Sequence, residues 1–527
     1  MDAPAPILRL PPEITDRIAA FLSVPDPDTN AGEGSSSETY TANAMSAEEM
    51  LKRDFCALRL TCKDIYLKTF RLFSRYYFTT VSVGFSRDSL DRLRALANYK
   101  NYFGLTLIEF TSHLRVSTLR LLPESEVHRI FSFSDPQDDA QDAVAAINML
   151  CELGVESYNI PGTYNPDTYA IAGKYRKAVA SQQSLTTSSC DINKIARAIA
   201  TFPKFCSIYL DAYDKSWGEE DWQEIAGFDR RVFTSFGDIH SGQNNLEFTL
   251  NRVLQAIAQA EMICQANRRT FGLCSLSATA LYGTEDWDPE SHQNIKLQRL
   301  DIHPFSRVAL QAAFSRLTSL SIDIYDFFTP DEPKDSSDKI KEALKLMLSS
   351  PKLEQLTIGF VDSGEIVDDD LSNMSQPDNT WIGDQILSMV VEKEQSNVLK
   401  RLGLFCQAIV KSKSAVEKLV KKHAATLEAL SLEILIPDPG STPPNVSAQR
   451  NEYKSLLRIL TGCPLLEEFS FHVEPVADEW PVADFDMNGR EWIMRRVNNM
   501  ITSHTGPEHD YFWGDGSETE DNEDDDS

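Results

Sequence analysis

From residue 78 onward, short stretches in which apolar and polar positions alternate follow longer stretches with apolar residues every three or four positions, and the two kinds keep taking turns. Strict alternation predicts a strand with one buried face, and the longer period predicts an amphipathic helix. The alternating stretches share a frame, L-x-x-L-x-L, with starts at Val116, Phe205, Leu273, Leu297, Leu317, Leu353, Leu399, Leu427 and Leu466. At an apolar fraction of 42%, three fixed positions are all apolar in about 7% of windows, so a single frame is a weak signal. Context strengthens three of them. Leu353, Leu427 and Leu466 are each followed by Glu, carry Thr357, Ser431 or Ser470 at the fifth position, and stand just after an amphipathic stretch. Those stretches run through Ile340, Ala343, Leu344, Met347 and Leu348, through Val416, Leu419, Val420 and His423, and through Tyr453, Leu456, Leu457 and Leu460. Further helices are predicted over 89–99, over Ala143 to Leu150, over Asp191 to Ala200 and around Trp492, Ile493 and Val497, and Phe78 to Val83 (FTTVSV) reads as a strand. A helix followed by a short strand cannot cover its own apolar faces, so such units must stack on one another. The expected class is therefore α/β, an irregular array of helix and strand, with 36 residues between Leu317 and Leu353 but 46 between Leu353 and Leu399.

Ahead of the array, Ile14, Ile18, Phe21 and Leu22 fall on one helical face, with Pro12 near the first turn, where its missing N–H costs least. Two more helical phrases follow, one with Phe55, Leu58 and Cys62 and one with Ile65, Leu67, Phe70, Leu72 and Phe73. Three short helices bury too little surface to be robust alone, so this unit asks for a partner. The residues LPPEI...I..FL, LRLTCKDIY and YYFTTVSV resemble the F-box of fungal F-box proteins over about 50 of the first 83 positions. That resemblance implies that Leu10, Pro11, Ile14, Ile18, Leu22, Leu58 and Leu60 dock on the Skp-type adaptor of a cullin-RING ubiquitin ligase. Between the first two helices this chain carries about twenty residues, Pro25 to Met45, that the family usually lacks; they are rich in Ser, Thr, Gly, Asp and Pro and predict a disordered loop. Ser46 with Glu49 is a capping-box signature, marking where helix resumes. The later frames resemble leucine-rich repeats, which commonly follow an F-box. The implied organisation is an F-box over 1–83 with a disordered insertion at 25–45, an irregular leucine-rich-repeat-like αβ solenoid over 84–501, and a disordered acidic tail over 502–527.

Charge narrows the choice of partner. The 527 residues carry a formal net charge of −28, which argues against a general nucleic-acid binder or an anionic membrane surface. Between Lys52 and Arg75 the balance reverses: Lys52, Arg53, Arg59, Lys63, Lys68, Arg71 and Arg75 face only Asp54 and Asp64. These are either the solvated faces of helices or a patch that steers an acidic adaptor. Insertions at Asp323–Asp338, Val361–Trp381, Pro437–Gln449 and Val473–Gly489 each follow a strand and precede a helix, which puts them on one edge of a solenoid. They are mostly acidic, and the second and last contain no Lys or Arg. As a client-binding rim for a basic segment, they nominate Asp368, Asp369 and Asp370 with the aromatic anchors Phe327, Phe328, Trp381 and Trp480; the alternative is that these loops are merely solvated.

Catalytic signatures are missing. No Walker A motif, nucleophile elbow or H-E-x-x-H occurs, and neither cofactor nor metal is expected. His504 and His509 form too weak a pair for a metal site, His423 lies on the apolar face of its helix as a core histidine, and Cys264 and Cys274, or Cys56 and Cys62, read as small hydrophobes. Nine cysteines without C-x-x-C spacing suit a reducing compartment. The chain begins Met-Asp without a basic leader or long apolar run, so an intracellular protein, cytoplasmic or nuclear, is expected. The function implied is that of a non-enzymatic substrate receptor of an SCF-type ligase, with a repeat scaffold acting outside ubiquitination as the alternative.

Overall fold

The computed structural model describes residues 56–57, 59, 63–100, 106–118, 177, 179–211, 245–278, 300, 302–326, 335–362, 382–409, 413–436, 456–475 and 483–502. They form a mixed helix and strand architecture of the α/β class. Helix α1 (Lys63–Tyr77) leads into β1 (Thr80–Val83), α2 (Arg87–Ala97) and β2 (His113–Ser117). Next come α3 (Cys190–Thr201), β3 (Ser207–Asp211), α4 (Asn245–Ala266), β4 (Ser275–Ala278), α5 (Pro304–Phe314) and β5 (Ser319–Asp326). Then follow α6 (Asp335–Met347), β6 (Gln355–Asp362), α7 (Ile382–Lys393), β7 (Arg401–Ile409), α8 (Lys413–His423) and β8 (Ala429–Ile436). Residues 456–460 are helical, and β9 (Glu468–Pro475), β10 (Ala483–Asn488) and α9 (Arg490–Thr502) close the described chain. All ten strands lie in one sheet in chain order. The first nine are parallel, and β10 returns antiparallel on β9.

The predicted frame is the buried side of this sheet. Its fourth positions stand in one register row, Val81, Leu114, Ile208, Leu276, Leu320, Leu356, Leu402, Leu430 and Phe469, and all are buried in a core shared with the helices. Fully burying such a side chain contributes about 1.5–3 kcal/mol, so a row of nine is worth far more than any repeat could gain alone. Before each strand, the backbone is tied to its neighbour in a repeating way. The carbonyl of Glu354 accepts from the N–H groups of Lys400 (2.8 Å) and Arg401 (3.0 Å), and that of Lys400 from Glu428 (2.7 Å) and Ala429 (2.9 Å); the same double contact recurs along the sheet. Hydroxyls add a second tie: the buried Ser350 donates to the carbonyl of Leu317 (2.5 Å), the buried Ser396 to that of Leu353 (2.6 Å) and the half-buried Thr426 to that of Leu399 (2.6 Å).

Seven of the nine predicted frames hold their place. The frame at Val116 does not: β2 is built on Thr111, Leu114 and Val116, so Val116 occupies the third apolar position and not the first. Thr111 is buried, and a polar residue in the first position hides such a frame from an apolar pattern. Of the frame at Leu297, residues 297–299 and 301 lie outside the described residues, and Leu300 and Ile302 are not in a strand. Leu300 is buried ahead of α5, but β4 pairs directly with β5 through Ser275 and Ser319, leaving no place between them. The segment 473–489, expected as an insertion, contains the closing strand β10. Helices over 191–200 and around Ile493 form as expected, whereas α4, α5 and α7 were not anticipated. The signal for α4 was present in Leu246, Leu250, Leu254 and Ile257, all buried. The capping box at Ser46, the helix over 143–150, the loop 25–45 and the tail lie outside the described residues.

Of the basic N-terminal segment, residues 63–83 are continuous with the body. Phe70, Val81 and Val83 belong to the same core as Leu90, Leu114 and Leu185.

Candidate functional site

Every sequence-predicted binding residue falls outside the described residues: Leu10, Pro11, Ile14, Ile18, Leu22, Leu58 and Leu60 for the adaptor, and Phe327, Phe328, Asp368, Asp369, Asp370, Trp381 and Trp480 for the client. What the fold supplies is the ground on which they stand. Residues 327–334, 363–381, 437–450 and 476–482 leave from the ends of β5, β6, β8 and β9. Those strands run parallel in one sheet, so the departures share its C-terminal edge, as the sequence led one to expect.

That edge is acidic. Asp326 stands in register with Asp362, Asp211 and Glu474 lie at or next to the ends of β3 and β9, and Asp323 and Glu433 lie within the second halves of β5 and β8. Among the described residues, the chain beyond the second buried row of β3 to β9 contains no Lys or Arg. The opposite edge is mixed and largely self-compensated: Lys400 Nζ lies 3.7 Å from Glu354 and 3.6 Å from Glu428, and Arg401 Nη2 lies 3.3 Å from Glu468. Such exposed pairs contribute little stability, on the order of 0.2–1 kcal/mol, but they leave that edge without a strong field of one sign.

The face of the sheet away from the helices carries hydroxyls between the two edges, with Ser277, Ser321, Thr357, Ser431 and Ser470 in one register row. Beyond that row, toward the acidic edge, Asp323, Gly359 and Phe405 are in register on three adjacent strands. The Asp323 carboxylate lies over Gly359, where a Cβ would stand 2.2 Å from Oδ1. The Phe405 ring lies over Gly403, where a Cβ would stand 3.1 Å from Cε2. Glycine is normally avoided within strands, and its presence there marks close approach of other groups to the backbone. Sequence reading missed this row. Its signal was two glycines, at and just beyond predicted strands, each within six residues of a frame leucine, Leu353 or Leu399.

At the other end of the sheet, His113 Nδ1 is hydrogen-bonded to the Ser207 hydroxyl, and Cys206 Sγ lies 3.8 Å from the same nitrogen. Burial lowers the His113 pKa, favouring the neutral ring, and burial pushes the Cys206 thiol up. A protonated thiol beside a neutral imidazole is a weak nucleophile, and Ser207 is itself buried. This cluster ties β2 to β3.

His423, expected as a core histidine, is buried and lies 2.9 Å through Nε2 from Glu394 Oε2. A carboxylate only accepts, so Nε2 carries the proton. Lys422 Nζ donates to the same oxygen at 2.5 Å, and the Ser396 N–H donates to Oε1. Burial of Glu394 opposes its ionisation, but the hydrogen bonds from His423 and Lys422 outweigh that and hold its pKa below the usual carboxylate range. The group joins the end of α7 to the end of α8.

The basic stretch near α1 divides. Arg59, only 5% exposed, stacks on Phe73 (3.4 Å to the ring centre) and on Tyr66 (4.6 Å), while Lys63, Arg71 and Arg75 are exposed. The Tyr66 hydroxyl also meets that of Tyr99 at 3.3 Å, which raises the Tyr99 pKa to about 12. Arg59 is thus packed onto α1, and the three exposed cations keep the solvated or steering role. Of the cysteines read as small hydrophobes, Cys264 is buried and Cys56 and Cys274 are partly so; Cys62 lies outside the described residues. Among the described residues no cluster of three His, Cys, Asp or Glu side chains is arranged for a metal ion, and no helix is long and apolar enough to cross a membrane.

No protein-family model matches the chain, and no curated protein is significantly similar to it.

Proposed function

We propose that this protein is a non-catalytic substrate receptor of an SCF-type ubiquitin ligase, whose N-terminal segment docks a Skp-type adaptor and whose body, a leucine-rich-repeat-like solenoid, holds a client. The observation that carries this reading is the F-box-like spacing of Leu10, Pro11, Ile14, Ile18, Leu22, Leu58 and Leu60, followed directly by a helix and strand packed into the body core. Strand order that follows chain order, with one frame burying the same rows throughout, supports the solenoid. An adaptor-docking segment joined to the body through α1 and β1, without a linker, fixes the client relative to the ligase's other subunits. Such tethering raises the effective concentration of one reactant at the other without any chemistry from the receptor. The acidic edge favours a client with a basic segment.

The test is a pull-down of the full-length protein by purified Skp-type adaptor, beside Leu10→Asp with Ile14→Asp. Loss of capture with unchanged circular dichroism is expected, because each buried apolar contact contributes about 1.5–3 kcal/mol. Full capture by the double variant would sink the assignment. Weakening by salt would give Lys63, Arg71 and Arg75 a steering role. One observation favours a second reading, a scaffold independent of ubiquitination: α1 and β1 themselves cap the sheet. On that reading, removing residues 1–55 leaves both client binding and client turnover unchanged.

A further inference from the structure

Cys206 and Cys274 stand one residue ahead of Ser207 and Ser275, which pair in register on β3 and β4. The Cys274 N–H donates to the Cys206 carbonyl at 2.7 Å, so the two cysteines are direct neighbours across the strands although they are far apart in the chain. Neighbouring strands lie about 4.8 Å apart, inside the range of about 4.4–6.8 Å between α-carbons that a disulfide spans. Further along the sheet, the same position shows that side chains of this row run side by side. Lys400 there lies 3.7 Å from Glu354 on one neighbour and 3.6 Å from Glu428 on the other.

Both thiols are half-buried, which leaves a small oxidant access to them. Each sulfur is held by a weak contact: Cys206 Sγ donates to the Ser112 carbonyl at 3.5 Å and Cys274 Sγ to that of Gly272 at 3.2 Å. A change of rotamer about one side-chain bond releases either of them.

Independently of the receptor reading, we propose that Cys206 and Cys274 form a redox-modification site, a dithiol that peroxide closes into a disulfide at the feet of β3 and β4. The Cys274 sulfur attacks one oxygen of hydrogen peroxide and becomes a sulfenic acid, while the other oxygen leaves as water. The Cys206 sulfur then attacks that of Cys274: the S–S bond forms, the S–O bond breaks, and the displaced hydroxyl takes up the Cys206 proton and leaves as a second water. The two thiols thus supply the two electrons that peroxide accepts. His113 Nδ1 lies 3.8 Å from Cys206 Sγ, on a ring whose neutral form burial favours, and is placed to relay the proton. Burial makes Cys206 the weaker nucleophile, which suits the second step, where its target is fixed beside it and proximity replaces reactivity.

The experiment treats the folded, full-length protein with one equivalent of hydrogen peroxide, blocks the remaining thiols with iodoacetamide before unfolding, and maps disulfides by mass spectrometry of an unreduced digest. The peptide linking Cys206 to Cys274 is expected to be at least about tenfold more abundant than any other linked pair, and to disappear on treatment with dithiothreitol. The same treatment in urea is expected to lose that preference. Cys206→Ser is expected to leave Cys274 as a sulfenic acid that dimedone labels, and Cys274→Ser to leave Cys206 free for iodoacetamide. Linked pairs spread evenly among the cysteines, or Cys274 of the wild type found only as sulfenic or sulfinic acid, would overturn the proposal. If either serine variant fails to fold by circular dichroism, the map of the wild-type protein with and without urea decides the question.

Discussion

Strands β1 to β4 are four or five residues long, whereas β5 to β9 run for eight or nine. Both halves stand on the same two buried rows, and the difference lies beyond them. At about 3.3 Å per residue, the added residues raise the later strands by roughly 10 Å, and what they add is acid, glycine and aromatic: Asp323 to Asp326, Gly359 to Asp362, and Phe405 onward. In the short half the described strands end at or one residue beyond these apolar rows. Its polar groups, His113, Ser207 and Cys206, are tied to one another and kept uncharged. The tall half instead keeps a buried Glu394 carboxylate hydrogen-bonded by Lys422 and His423 between helices, and an acidic edge without Lys or Arg among the described residues. The comparison teaches that the repeating frame accounts for assembly of the sheet, and that the departures from it, concentrated in β5 to β9, are where a binding surface can be built.

If the halves share one core, truncating the same row in either must hurt alike. Leu114→Ala in β2 and Leu356→Ala in β6 are each expected to cost about 2–5 kcal/mol in chemical denaturation, and a single cooperative transition is expected for both. Two separate transitions, with only one displaced by each variant, would divide the sheet.

The glycines offer a smaller and sharper contrast. A Cβ at Gly272, before β4, would meet the backbone carbonyl of Phe205 at 2.4 Å, while one at Gly359 would meet only the Asp323 side chain. Backbone cannot rotate out of the way, so Gly272→Ala is expected to cost about 1–3 kcal/mol and Gly359→Ala less. Combining Gly359→Ala with Asp323→Ala should cost less than the sum of the two singles, which a double-mutant cycle measures; strict additivity would mean that the two residues are not in contact.

The smallest effect separates the halves by acid sensitivity. A carboxylate with a depressed folded pKa contributes stability above its ordinary value of 4.5, and loses it as pH falls through the folded value. Glu394→Gln is therefore expected to cost about 1 kcal/mol at neutral pH. That difference from wild type should shrink below about pH 4.5 and vanish under the folded pKa. Denaturation curves across that range would show it, and a constant difference at all pH values would assign the loss to packing instead of charge.

Much of the architecture was legible in the chain because the frame is local. Leucines at fixed short intervals and apolar helical periods state which residues face inward, and seven of nine frames, with the helices before Leu353, Leu427 and Leu466, could be read without coordinates. The misreadings have a physical cause as well. At β2 a buried threonine stands in a leucine's place, and the frame at Leu297 finds no place in the sheet between β4 and β5, which pair directly.

Residue pattern alone determined which side chains are buried in each strand, that neighbours must stack to bury them, and that acidic segments follow the strands, since all three depend on near neighbours in the chain. Only the tertiary structure decided that α1 and β1 belong to the body, that Glu394 reaches His423 across 29 residues and that Asp323, Gly359 and Phe405 form one row. Such contacts are set by strand register between repeats of unequal length, and register is a property of the assembled sheet, not of any single stretch of sequence.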